Sequence, residues 1–220
     1  MRTIGEDAFS GCSGLTSIEI PNSVTSIGGG AFYGCSGLNS IEIPNSVTSI
    51  GDFAFGECSG LTSIKIPDSV KSIGERVFSG CSALTSIVVD NANRYYDSRD
   101  NCNALIQTST NTLIIGCSNT IIPSTVTTIG ESAFPDCSGL TSIEIPDSVT
   151  NIKNWAFDGC SGLTSIEIPD SVTSIKNGGF NGCISLKEIS VTSENEDYAS
   201  VDGILYSNKT FPICCTIHIG

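Results

Sequence analysis

Eleven cysteines, a single histidine and three aspartates in irregular segments, Asp97, Asp100 and Asp202, are the residues from which this chain could assemble catalytic or metal chemistry. Zinc needs four converging ligands, usually supplied by Cys-x-x-Cys pairs, and no such pair occurs; Cys214 and Cys215 are adjacent. The segment DSRDNCNALIQT has acidic or amide groups at its positions 1, 4, 5 and 7, but lacks the glycine at 6 and glutamate at 12 of a calcium loop. A Cys-His or Ser-His-Asp engine would have to use His218, whose TIHI setting repeats a Ser-Ile-Glu-Ile phase and places it outward on a ninth strand. Glycine pairs such as Gly178-Gly179 sit in turns, not between a strand and a long helix, so no phosphate loop is supported. Three aspartates in two separate inserts have no evident shared cleft. These spacings predict no catalytic residue, no metal and no cofactor.

The cysteines keep a different order. Cys12, Cys35, Cys58 and Cys81, then Cys137, Cys160 and Cys183, are spaced by 23 within each group, and Phe9, Phe32, Phe55, Phe78, Phe134, Phe157 and Phe180 keep step. The stretch GCSGLTSIEIPNSVTSIG at 11 to 28 returns at 34 to 51 with one change. Side chains repeated at one phase form a column. Stacked strands lie about 4.8 Å apart, but parallel Cα to Cβ directions hold the sulfurs away from a disulfide dihedral, so reduced, buried packing thiols are expected.

Behind this column stands the unit A-F-x-G-C-S-G-L-T-S-I-E-I-P-x-S-V-T-S-I-G. Leu15, Ile18 and Ile20 have the spacing of a short strand that points alternate residues inward, with Ser17 and Glu19 outward, which predicts one strand per turn. Pro21 ends regular pairing, Val24 and Ile27 dip back in before Gly28, and Ala8, Phe9 and Cys12 predict one short helical turn. A lone turn cannot bury enough apolar surface to order its own backbone, so the repeat is a device for stacking.

GCSGLTSIEIPNSVTSIGGGAF resembles the BspA-like leucine-rich repeat family, whose units have this A-F-x-x-C, L-x-x-I-x-I-P and S-V-x-x-I-G order. The resemblance covers almost the whole chain and is more specific for architecture than for function. It implies a secreted or surface-displayed protein of a host-associated bacterium or parasitic protozoan that adheres to host matrix proteins or to other cells. The expected fold is a right-handed leucine-rich-repeat solenoid of 23-residue turns, about eight to nine of them, with short parallel strands on one face and two inserted β-hairpins. Residues 1–220 form a single domain, with regular turns at 1–90 and 118–191 and inserts at about 91–117 and 192–215.

Composition narrows the partners. The chain has 39% apolar and 15% charged residues, enough for a core. A net charge of −13 repels nucleic acid and anionic lipid. No apolar run is long enough to span a bilayer, so membrane insertion is not expected, and Met1 is followed at once by repeat phase rather than a signal peptide, which suggests a fragment of a longer protein. Strand edges at the two ends lack capping repeats and predict self-association.

The period breaks twice. Cys81 to Cys137 spans 56 residues, ten more than two periods. The insert's Tyr96, Ser98 and Asp100 correspond to Tyr198, Ser200 and Asp202 of a second irregular segment, and in each two apolar runs flank a polar turn: ALI and LII around QTSTNT, ILY and FPI around SNKT. Such hairpins serve either to brace the stack or to make contacts. Pairing the first about residues 109 and 110 sets Gln107 opposite Thr112, Ala104 opposite Ile115 and Cys102 opposite Cys117, which makes Cys102 and Cys117 the candidate disulfide. Past this hairpin, Thr120 falls where other turns have isoleucine.

Outward strand positions form a row of Glu19, Glu42, Lys65, Val88, Ile121, Glu144, Glu167 and Ser190. Like charges side by side cost up to about 1 kcal/mol per pair, and only Lys65 relieves them. Two readings follow: a mildly acidic recognition face, or an exposed glutamate merely copied by duplication. The recognition reading makes this a non-catalytic extracellular or cell-surface adhesion module. It would bind a host extracellular-matrix or cell-surface protein through Glu19, Glu42, Lys65, Glu144 and Glu167. The alternative is a structural spacer within a longer surface protein.

Overall fold

The structure, a computed structural model, describes residues 2–208. It is a parallel β-solenoid of about eight turns, close to the expected count. Register repeats with the sequence: Thr3 pairs with Ser26, Ser26 with Ser49 and Ser49 with Ser72.

The continuous ladder lies elsewhere than expected. It runs through the Thr-Ile and Ser-Ile dipeptides Thr3–Ile4, Ser26–Ile27, Ser49–Ile50 and Ser72–Ile73, and after the insert through Thr112–Ile115, Thr128–Ile129, Asn151–Ile152 and Ser174–Ile175. Each dipeptide is followed by glycine or another donor rather than proline, so Gly28, Gly51 and Gly74 extend the ladder to Ile4, Ile27 and Ile50 carbonyls at 2.9 Å. At the Ser-Ile-Glu-Ile phase, where a strand was expected in every turn, the described residues pair as Ser63–Ile66 with Ser86–Val89 and as Ser165–Ile168 with Glu188–Val191.

The Ala-Phe segments are corners, not helices. Each corner is a run of tight turns, with Ser10 bonding back to Asp7, Cys12 to Phe9 and Leu15 to Cys12. Two left-handed residues per corner, Asp7 and Gly11 in the first, forbid a helix. Corner amides instead donate across to the next corner: Phe9 to Ala31, Phe32 to Ala54 and Phe55 to Val77, at 2.8 to 3.0 Å. Among the described residues the one helical element is the short 3-10 turn Arg99–Asn101.

The core is a set of columns. Rings of Phe9, Phe32, Phe55 and Phe78 stack at centroid separations of 5.2, 5.3 and 5.6 Å, and the column resumes from Phe134 through Phe157 to Phe180. Five of the seven column cysteines donate their thiols to the phenylalanine carbonyl of the previous turn: Cys35 to Phe9, Cys58 to Phe32, Cys81 to Phe55, Cys160 to Phe134 and Cys183 to Phe157, at 3.0 to 3.2 Å, while Cys12 and Cys137 begin their columns, with Cys12 exposed rather than buried.

In the insert, Tyr96–Asp97, Leu105–Gln107 and Thr112–Ile115 form an antiparallel meander. Gln107 pairs with Thr112 as expected, but a bulge between Leu105 and Ile106 sets Leu105 rather than Ala104 opposite Ile115. The second segment begins the same way, with its Tyr strand paired to the strand that follows it. Ile204–Ser207 pairs backward with Tyr198–Val201, across Asp202 and Gly203, whose positive φ angles make the two-residue turn. The FPI run, Cys214, Cys215 and His218 lie outside the described residues.

Both irregular segments use one plug. The Asn93 amide donates to the Pro67 and Val70 carbonyls and accepts from the Tyr95 and Tyr96 amides; Asn195 does the same with Pro169, Val172, Asp197 and Tyr198.

The first insert also removes a corner. Its chain turns back early at Gly116, whose amide bonds to the Ala133 carbonyl and which has no room for a β-carbon beside the Phe134 ring. The corner ladder therefore stops at Val77 and Ser79 and restarts at Ser132. Side chains span the seam: Arg76 Nε donates to Ser132 Oγ at 3.2 Å, Arg76 Nη2 meets Asp158 at 3.4 Å, and Ser79 Oγ donates to Asp136 at 2.7 Å. The core divides near this seam into two clusters, one reaching from Ile4 to Cys117, the other from Cys102 to Leu205, with the insert giving Leu105 and Ile115 to the first and Ile106 and Leu113 to the second.

Candidate binding surface

Alternation of inward Ile64 and Ile66 with outward Ser63 and Lys65 shows how the strand face is made. Glu19, Glu42, Lys65, Glu144 and Glu167 are all exposed, as the pattern predicted. Hydroxyls of Thr62, Thr85 and Thr164 donate to the carbonyl one turn back, bracing the row from turn to turn.

Glu19 and Glu42 line one open groove of about 680 Å³ with Ser17, Ser40, Asn22 and Asn45, where the two strands are not laddered. Glu144 and Glu167 belong to the second block. Between the pairs lie Lys65, Val88 and Ile121. Lys65 faces Val88 in register, and its ammonium turns to Asp90 at 3.3 Å rather than to Glu42. A backbone amide from Ala92 and the Lys65 ammonium hold the Asp90 carboxyl below its ordinary pKa. Val88 is 46% and Ile121 71% exposed, so the acidic row has an apolar centre.

Thr120 explains the register slip before Ile121. It is buried at the isoleucine phase, where its hydroxyl accepts from the Cys117 amide and donates to the Asn103 carbonyl, both at 2.8 Å. With its hydrogen bonds satisfied, a threonine replaces an inward isoleucine and leaves Ile121 at the outward phase.

Cys102 and Cys117 are not joined. The bulge at Leu105 breaks the symmetric pairing that would set them face to face, and Cys117 donates instead to the Asn103 carbonyl at 3.2 Å. Column thiols are free too. Burial pushes Cys58 and Cys137 up to about 12 and Cys102 up to about 11, so none of these is a thiolate nucleophile at neutral pH.

A second surface feature escaped the sequence reading. At the seam, Phe53, Glu75, Arg76, Glu131, Ser132 and Trp155 line a cleft of about 280 Å³. Its signal was present in the corner phase, where Phe53, Arg76, Ser132 and Trp155 replace the glycine of Gly30 and Gly178, yet the missing corner that brings them together is invisible in a linear alignment.

The family model for BspA-type leucine-rich repeat regions, six copies, matches residues 2–111 and 110–202. The chain belongs to the BspA-type leucine-rich repeat family. Solved structures agree with this membership. A leucine-rich cell surface protein from Faecalibacterium prausnitzii is 31% identical with a TM-score of 0.65, over 88% of this chain and 64% of that one. A leucine-rich repeat protein from Bacteroides ovatus is 33% identical with a TM-score of 0.56, over 88% of this chain and 47% of that one. One from Eubacterium ventriosum is 27% identical with a TM-score of 0.65, over 88% and 58%. The BspA-type chain thus spans less than two thirds of these relatives' length. No curated protein matches it.

Proposed function

We propose that this BspA-type chain is a non-catalytic adhesion or protein-binding module, secreted or displayed at the cell surface, that takes a host extracellular-matrix or cell-surface protein on its strand face. The observation that carries the reading is the arrangement of the row: exposed Val88 and Ile121 at its centre, carboxylates of Glu19, Glu42, Glu144 and Glu167 around them. An apolar centre with a charged rim is the composition of a protein interface. The Faecalibacterium relative is a cell surface protein, which supports placement at the surface. Surface-plasmon binding to a panel of matrix proteins tests it, using the chain and a variant with Glu19, Glu42, Glu144 and Glu167 changed to Lys. Saturable binding that the variant loses supports the reading.

A spacer within a longer surface protein is the second reading. It is favoured by the near-identity of the repeated turns and by the greater length of the solved relatives. Absence of binding across the panel, or binding indifferent to charge reversal, supports it. Self-association is also proposed, and sedimentation of a monomer at high concentration would refute it.

A further inference from the structure

The seam cleft has the parts of a ligand site independent of the strand face. Its two walls are aromatic: Phe53 is 38% and Trp155 42% exposed. Both are held in the left-handed region, at φ 52° and 53°, at a phase where Gly30 and Gly178 supply that conformation without strain. Between them stand Arg76 and Ser132, at φ 50° and 46°. Four consecutive corners thus hold an aromatic, an arginine, a serine and an aromatic at one phase.

These side chains are pre-positioned. Trp155 lies against Gly178, where a β-carbon would come within 2.5 Å of the indole. Arg76 is fixed by the buried Ser132 hydroxyl and by Asp158, leaving Nη1 unbonded among the described residues. Exposed Glu75 and Glu131 add acceptors on either side of the seam.

We propose that this cleft binds neutral pyranose units of a glycan, with Phe53 and Trp155 as stacking platforms and with Arg76, Glu75 and Glu131 engaging ring hydroxyls. Pyranoses offer apolar C–H faces for the rings, and hydroxyls that accept from a guanidinium while donating to carboxylates. An anion would meet two glutamates on a chain of net charge −13, and a cation would meet Arg76. A neutral polyol matches both. Few precisely placed polar groups between aromatic walls is the composition of small-ligand sites.

Trp155 is the chain's only tryptophan, so its emission reports on the site directly. The test is an emission titration with maltotriose, cellotriose, mannotriose and chitotriose, with a proline-rich peptide as the competing class. At least one trisaccharide should give a saturable shift. Phe53→Gly should weaken it tenfold or more while melting at or above the wild-type temperature, because glycine already serves this phase. Arg76→Met should weaken it similarly, and the strand-face lysine variant should leave it unchanged. Overturning results are no saturable shift with any trisaccharide, full-strength binding by Phe53→Gly, loss in the strand-face variant, or a shift produced by the peptide alone.

Discussion

The Tyr198 hydroxyl accepts the backbone amide of Ile175 at 2.7 Å, taking a donor that the next ladder strand would otherwise pair. Tyr96 makes the same bond to the Ile73 amide one block earlier. Each irregular segment therefore closes the ladder of the turns before it with a phenol. Tyr198→Phe leaves the buried Ile175 amide without a partner, at a cost of about 1–3 kcal/mol. Urea unfolding should show a lower midpoint with an unchanged slope; an unchanged midpoint would contradict this role.

Gly116 lets the shortened turn pass beneath Phe134. An added β-carbon would come within 2.1 Å of that fully buried ring. Gly116→Ala should destabilise the protein by about 1–3 kcal/mol through overpacking. Pairing it with Phe134→Leu should recover part of the loss, which a purely conformational cost of alanine would not allow.

Burial raises the Cys58 thiol from its ordinary 9.0 to about 12, and Cys137 likewise. Because the folded pKa exceeds the unfolded one, the unfolded chain ionises first. The stability held by these neutral thiols is complete below pH 9.0 and is lost progressively as pH rises toward about 12. Midpoints of urea unfolding should fall between pH 8.5 and 10.5, a range of about two pKa units. In Cys58→Ala and Cys137→Ala the slope of that fall should be smaller.

At the seam, Ser79 is buried and its hydroxyl donates to the Asp136 carboxylate. Ser79→Ala removes a charge-assisted bond of about 1.5–3 kcal/mol from the place where the corner ladder is already broken. Stacked turns unfold as coupled nearest neighbours, so weakening one junction should uncouple the two core clusters. Hydrogen exchange should then show the blocks opening separately, whereas uniform loss of protection would mean that the seam is not the weak junction.

Much of this architecture was legible in the residues. A 23-residue period places Phe55 over Phe32 and Cys58 over Cys35 with no other information, because stacking identical turns stacks identical side chains. The same logic set Glu19 and Glu42 outward. Corners were less legible: Ala8, Phe9 and Cys12 have helical spacing, but Asp7 and Gly11 in the left-handed region impose turns, and their backbone state is not part of an apolar pattern. The disulfide expectation depended on an unbroken antiparallel register, and the bulge after Leu105 depends on packing against neighbouring turns. The cleft between Phe53 and Trp155 was hidden for a related reason, since it exists only because a corner between them is absent.

The thiol of Cys58 meets the Phe32 carbonyl just as Cys35 meets Phe9, so one turn's underside fits any other turn's top. Unequal crossing-over within the gene could delete or duplicate a regular turn and leave every such contact remade. Length is therefore the property this lineage can vary with least penalty, in steps of one strand spacing, about 4.8 Å. The seam is different: Arg76 with Ser132 and Ser79 with Asp136 meet across it as unlike partners, so a turn cut or added between Phe78 and Phe134 has no interchangeable replacement.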